Sequence, residues 1–254
     1  MSTTKETILF VHGAWHGKWC WEKYFRTAFE KQGYHVVTFD LPGHNQSGKI
    51  KGINKYSLHD YVKSLEAEVS KIDEPLIIVG HSMGGLIVQK YLEKKDCKKA
   101  ILLASVPPYG VINTTLNFAK KLYFYSALLS LDLYRLVNSE EKCRTSFFSK
   151  QIEAADLKEY TAKLCSESFK AFLGMLLPRV KVRKNLGIPI LVLGAENDTI
   201  FSISDNKKTA EKYDADLFII PNIAHDMMLD QNQEKVSAKM LAWLNDEIQS
   251  AEVA

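Results

Sequence analysis

Ser82 stands at the centre of Gly80-His81-Ser82-Met83-Gly84, a G-x-S-x-G pattern between two runs of different periodicity. Leu76-Ile77-Ile78-Val79 before it is apolar and β-branched, long enough for one buried strand, and Leu86-Ile87-Val88-Gln89-Lys90-Tyr91-Leu92 after it has helical spacing. A serine between strand and helix in such a pattern takes a strained backbone conformation, and the flanking glycines remove the Cβ atoms that would collide there. Ser82 is therefore expected to project into a cleft. The helix that follows offers unpaired N–H groups and a positive dipole end to an anion forming beside it. The same pattern also occurs in plain flexible turns, so the partners of the serine decide its meaning.

A hydroxyl is a weak nucleophile until a base takes its proton, and the base needs an acid to hold its tautomer. Of the seven histidines, His81 lies inside the turn, and His12 and His16 lie in the first loop as structural or mouth-lining groups. His35, His44 and His59 read as solvent-facing. His225 follows the last expected strand in Pro221-Asn222-Ile223-Ala224-His225-Asp226, at the carboxyl edge where sites in open parallel sheets collect. Asp198, in Gly194-Ala195-Glu196-Asn197-Asp198, lies past another strand end and is the candidate acid. Glu196 and Asp226 are its rivals, although Asp226 adjoins His225 and adjacent side chains usually turn apart. The chain order Ser, Asp, His is the one found in α/β-hydrolases.

These residues need elements to carry them. Ile8 to Val11 reads as a strand running into His12-Gly13-Ala14-Trp15-His16-Gly17-Lys18-Trp19-Cys20-Trp21, a glycine-bearing turn whose Ala14 N–H could point at the spot Ser82 attacks. Trp19, Trp21 and Phe25 form the inner face of a helix ending at Gly33. His35 to Leu41 alternates as a strand, Pro42 to Gly48 is a loop, and Ser57 caps a helix from Leu58 to about Ile72. Ala100 to Ser105 is another buried strand. This alternation on near-continuous apolar runs predicts an α/β fold with a mostly parallel central sheet covered by helices on both faces.

The alternation stops from Pro107 to about Asn185, where several helices are bounded by Pro107-Pro108, Asn138-Ser139 and Pro178. It resumes with a strand at Pro189 to Ala195, a helix from about Ser204 to Tyr213, a strand at Leu217 to Ile220 and a helix from Gln233 to Ile248. The expected division is a core of residues 1–106 and 186–254 with an inserted helical cap of residues 107–185 over the Ser82 cleft. In the cap, Leu116 to Leu129 carries more apolar side chains than one helix face needs, and Phe169, Phe172, Leu173, Leu176 and Leu177 recur at helical spacing. They either pack the cap onto the core or line a lipophilic tunnel. Trp15 and His16 of the first loop, with Phe172 and Leu176 of the cap, are the candidate substrate contacts.

Composition narrows the function classes. Over 254 residues, 46% are hydrophobic and 25% charged, which suggests neither disorder nor a membrane protein. The net charge is only +3 and basic pairs such as Lys94-Lys95 and Lys207-Lys208 are scattered, so nucleic-acid binding has little support. The run Leu122 to Leu131 is too short to span a bilayer, and Ile8 to Val11 too short for a signal peptide. Cys20, Cys97, Cys143 and Cys165 show no metal-ligand spacing and read as reduced thiols of a cytoplasmic protein.

The chain resembles the α/β-hydrolase superfamily everywhere except the insertion. His12-Gly13 is similar to the oxyanion loop of that family, Gly80 to Gly84 to its elbow, and Gly194 to Asp198 with His225 to its acid and base. The run His12 to Trp21 is similar to the loop of plant methylesterases and their hydroxynitrile-lyase relatives, whereas the insertion looks more like the cap of bacterial esterases and acylglycerol lipases. The resemblance implies a serine carboxylesterase acting on small to medium acyl esters with neither metal nor cofactor. Ser82 would be its nucleophile, His225 its base, Asp198 its acid, and the N–H groups of Ala14 and Met83 its oxyanion donors. Carbon–carbon lyase chemistry is an alternative, although Gly13 and Asp226 stand where such lyases carry threonine and lysine. Perhydrolysis on the same serine, or a non-catalytic small-ligand receptor of the same fold, are the others.

Overall fold

The central strands of the sheet are buried, except at Lys99, because helices cover both faces. The computed structural model describes residues 6–73, 75–112, 114–115, 122–183 and 186–247. Positions 116–121 of the apolar insertion segment, Asn185 and Ile248 lie outside the described residues. Six strands, β1 (Thr7–Val11), β2 (His35–Thr38), β3 (Leu76–His81), β4 (Lys99–Leu103), β5 (Ile190–Ala195) and β6 (Asp216–Ile220), form one sheet in the order β2-β1-β3-β4-β5-β6. Every neighbouring pair is parallel. β1, β3 and β5 are buried throughout, while the edge strands β2 and β6 are partly exposed, as a sheet covered on both faces requires.

Alternate residues of the strands feed two apolar layers. Ile8, Phe10, Ile77 and Val79 face one layer with α1 (Trp19–Glu22), α2 (Phe25–Glu30) and α10 (Gln233–Leu244). Leu9, Val11, Leu76 and Ile78 face the other, with α3 (Leu58–Val69), α4 (Met83–Tyr91) and α9 (Ile203–Tyr213). Between β4 and β5 come α5 (Leu122–Leu129), α6 (Glu140–Phe147), α7 (Ala154–Lys163) and α8 (Phe169–Leu176). Their buried side chains join the same two layers, Phe124 and Phe147 in the first and Ala171 and Met175 in the second.

The fold departs from three expectations. The helix expected across Trp19 to Gly33 is two, broken at Lys23-Tyr24. Trp21, Phe25 and Phe29 all pack on Phe10 across the break, with ring centroids 4.8, 6.1 and 5.4 Å away. β2 ends at Thr38 rather than Leu41, whose N–H donates instead to His12 Nε2 at 3.0 Å. His44 is not solvent-facing: it is buried, and its Nε2 lies 3.0 Å from Glu167 Oε2, tying the loop after β2 to the insertion. α3 keeps its expected start, since Ser57 and Asp60 form a reciprocal capping box.

The sheet order has one functional consequence. From β1 the chain moves to the β2 edge and then returns to the other side of β1 as β3, so the loops after β1 and β3 diverge at a topological switch point. The register Val11 to Gly80 and His81 to Leu103 brings those two loops side by side at the carboxyl edge.

Candidate active site

Ser82 has φ 52° and ψ −118°, a conformation costly for any residue with a side chain. It is held from three sides. Its N–H donates to Leu103 O at 3.1 Å, and its own carbonyl accepts from Gly85 N at 3.0 Å and Val106 N at 3.1 Å. The glycines of the motif are required by contact: a Cβ on Gly80 would sit 2.5 Å from Gly84 O, and one on Gly84 would run into Val11 O. Met83 is the first residue of α4, so its N–H has no acceptor within the helix.

The loops after β5 and β6 bring two further residues together. His225 Nδ1 lies 2.8 Å from Asp198 Oδ2, and Asp198 Oδ1 accepts N–H groups from Ile200 at 2.7 Å and Phe201 at 3.1 Å. A carboxylate so bound presents only an acceptor to the ring, so Nδ1 carries a proton, and in the neutral imidazole the lone pair is then on Nε2. The rings of Phe201 and Phe147 flank the imidazole at centroid distances of 5.4 and 6.1 Å. Glu196, the rival acid, is exposed and accepts Asn222 N–H at 2.8 Å.

Ser82, Ala14 and Met83 line one cavity of about 640 Å³, open mouth included, together with Trp15, Phe172 and the insertion residues Val111, Leu136 and Phe147. Phe124, Met175, Ile200 and Phe201 complete an apolar wall. Thr114 and Thr115, also in the lining, donate their hydroxyls to Ile200 O and Val111 O. The cavity thus offers an ester an apolar container with a strained hydroxyl beside a helix N-terminus.

The model of the alpha/beta hydrolase family matches residues 8–239, most of the length of the chain. The chain belongs to that family. Phospholipase YtpA of Bacillus subtilis (strain 168) is 25% identical over 203 residues, 76% of each chain. The carbendazim hydrolyzing esterase of Nocardioides sp. (strain SG-4G) is 33% identical over 109 residues, 41% of this chain and 43% of that one. The crystal structure of the methylesterase protein MES16 from Arabidopsis superposes with a TM-score of 0.67 at 21% identity, covering 95% of this chain and 99% of that one. A phospholipase and two esterases are thus among the proteins that the chain resembles.

In this alpha/beta hydrolase two candidate substrate contacts lie apart from the cavity wall. Leu176, one turn beyond Phe172, is absent from the lining and packs half-buried in the layer of α3 and α4. His16 is also outside the lining; it is 1% exposed, with Nε2 2.9 Å from Oδ2 of the fully buried Asp226 and Nδ1 2.8 Å from Ala14 O. Asp226, the other rival acid, therefore serves His16, a partner 210 positions away that nothing in the neighbouring residues signals.

Two further buried histidines, His12 and His81, are neutral. His12 Nδ1–H donates to Gly13 O at 2.8 Å and its Nε2 accepts from Leu41 N, and burial holds its pKa well below the usual value. His81 Nε2–H donates to His225 O at 3.0 Å, and burial together with the neighbouring His225 lowers its pKa to about 3. Side-chain atoms of His81, His225 and Asp226 come within 4.8 Å of one another. Each of the three is already engaged: His81 with the His225 carbonyl, His225 with Asp198, and Asp226 with His16. Among the described residues no helix is long and apolar enough to cross a membrane.

Proposed function

We propose that this hydrolase is a serine carboxylesterase in which Ser82, His225 and Asp198 form the catalytic triad and the acyl group lies in the apolar cavity. The observation that carries the reading is the 2.8 Å contact of His225 Nδ1 with Asp198, made at the same edge of the sheet as the strained Ser82. His225 Nε2 takes the Ser82 hydroxyl proton as the oxygen attacks the ester carbonyl, and Asp198 stabilises the imidazolium that forms. The N–H groups of Ala14 and Met83 hold the tetrahedral oxyanion, a stabilisation worth about 3 to 4 kcal/mol per donor in comparable sites. The imidazolium then protonates the leaving alcohol, and a water activated by His225 releases the acid from Ser82.

Residues 107–185 act as a helical cap in this scheme. Phe124, Leu136, Phe147 and Phe172 from that segment share the cavity with Ser82, which supports an apolar acyl or alcohol group as the part they enclose. The four free thiols suit a reducing compartment, the cytoplasm. A p-nitrophenyl ester series from acetyl to octanoyl tests the reading with the intact protein. Turnover with no added metal or cofactor is expected, falling to about a thousandth or less in Ser82→Ala. Absence of turnover across the whole series would contradict it.

A further inference from the structure

His16 has two oxygen partners, a peptide carbonyl and a carboxyl group whose pKa its surroundings hold down, so that both accept. The Ala14 carbonyl lies 2.8 Å from Nδ1, and an Asp226 carboxylate oxygen lies 2.9 Å from Nε2. A peptide oxygen has no proton to give and an ionised carboxylate has none either, so both ring nitrogens must carry hydrogen. Burial opposes charge on His16, but the Asp226 carboxylate outweighs it and raises the histidine's pKa; burial likewise opposes charge on Asp226, but His16 and the neighbouring His81 and His225 pull its pKa down. The pair is therefore imidazolium and carboxylate.

Its position joins the two loops that do the proposed chemistry. His16 grips the peptide between Ala14 and Trp15, and Trp15 has φ 64°, a left-handed conformation that needs such support. Asp226 follows His225 directly, and its N–H donates to Phe147 O at 2.9 Å. A lone carboxylate here would favour the protonated form of His225, whereas one matched to an imidazolium has little net field.

We propose that His16 and Asp226 are positioning residues, a buried, charge-matched pair that holds the oxyanion loop against the His225 loop and keeps the Asp226 charge from acting on the catalytic base. The groups facing His225 are Asp198 at Nδ1, the His81 ring at 4.9 Å and Asp226, with Phe147 and Phe201 on its flanks. Those facing His16 are Asp226, Glu167, His12 and the His81 ring at 6.3 Å. The proposal rests on His225 being the base.

Two measurements on the full chain test it. The first is the ring 15N spectrum of His16, which needs no substrate: a proton on each of the two ring nitrogens at pH 7.5 in wild type, and on only one of them in Asp226→Asn, is expected. A neutral His16 in the wild type overturns the pairing, whatever the fate of the catalytic assignment. The second is the pH profile of kcat/KM. His16→Gln, which leaves the carboxylate unmatched, should move the acid limb to higher pH by about half a unit or more and lower kcat about tenfold, with KM changed less than about threefold. Asp226→Asn and the double variant should lower kcat with the limb left at its wild-type position. Should His16→Gln fold poorly, Asp226→Asn alone decides: wild-type kcat in that variant would overturn the positioning role. An unmoved limb in a folded His16→Gln would overturn the charge-matching role.

Discussion

His225 Nδ1 lies 2.8 Å from Asp198 Oδ2 while the other oxygen of the same carboxylate receives the N–H groups of Ile200 and Phe201. An asparagine at 198 could satisfy those backbone donors only by turning its NH₂ toward Nδ1, which reverses the tautomer and removes the lone pair from Nε2. Asp198→Asn should therefore lower kcat by roughly 10³ to 10⁴ with little change in thermal midpoint. Glu196→Gln, changing an exposed carboxylate that accepts Asn222 N–H, should stay within about twofold of wild type. The reverse ranking in steady-state kinetics would move the acid to Glu196.

The elbow was legible from sequence because its five residues are contiguous and the contact that forbids a Cβ at Gly80 falls on Gly84 of the same motif; the matching contact of Gly84, with Val11 O, was not. The sheet was legible for the same reason, since β1, β3, β4 and β5 are continuous apolar runs. The break between α1 and α2 was not, because Trp21, Phe25 and Phe29 keep a spacing of four that one helix would also satisfy. The roles of His16 and His44 were hidden by distance, their carboxylates lying 210 and 123 residues away. Leu176 shares a helical face with Phe172, yet one turn of helix, about 5.4 Å, carries it beyond the cavity.

That separation of Phe172 from Leu176 makes a prediction on specificity. If the apolar wall encloses the acyl chain, kcat/KM should rise from acetyl to hexanoyl esters by up to about 0.8 kcal/mol, or roughly fourfold, per methylene. Phe172→Ser should flatten the rise without abolishing acetate hydrolysis, whereas Leu176→Ser should preserve the slope. A steeper loss in the Leu176 variant, or an outright preference for acetyl esters, would place the acyl chain elsewhere.

The pair of His16 and Asp226 should also leave a signature in stability. The pKa of His16 is raised from 6.5, so its share of the stabilisation is complete below that value and is lost as pH rises through the raised one. The pKa of Asp226 is lowered from 3.8, so its share is present above that value and is lost as pH falls through the lowered one. The difference in thermal midpoint between wild type and Asp226→Asn should accordingly be greatest between those two ordinary values and narrow on both sides. A difference independent of pH would mean that the pair does not carry charge.

The strained Ser82 at the mouth of α4 is the centre of the proposed mechanism, and one labelling experiment tests it without reference to any substrate. A fluorophosphonate reacts with a serine only when a base activates it. Incubation of the full chain followed by peptide mass mapping should find one adduct, on Ser82, and Ser82→Ala should abolish it while leaving the thermal midpoint nearly unchanged. An adduct on a different residue, or labelling that persists in the folded Ser82→Ala protein, would contradict the assignment of Ser82 as nucleophile.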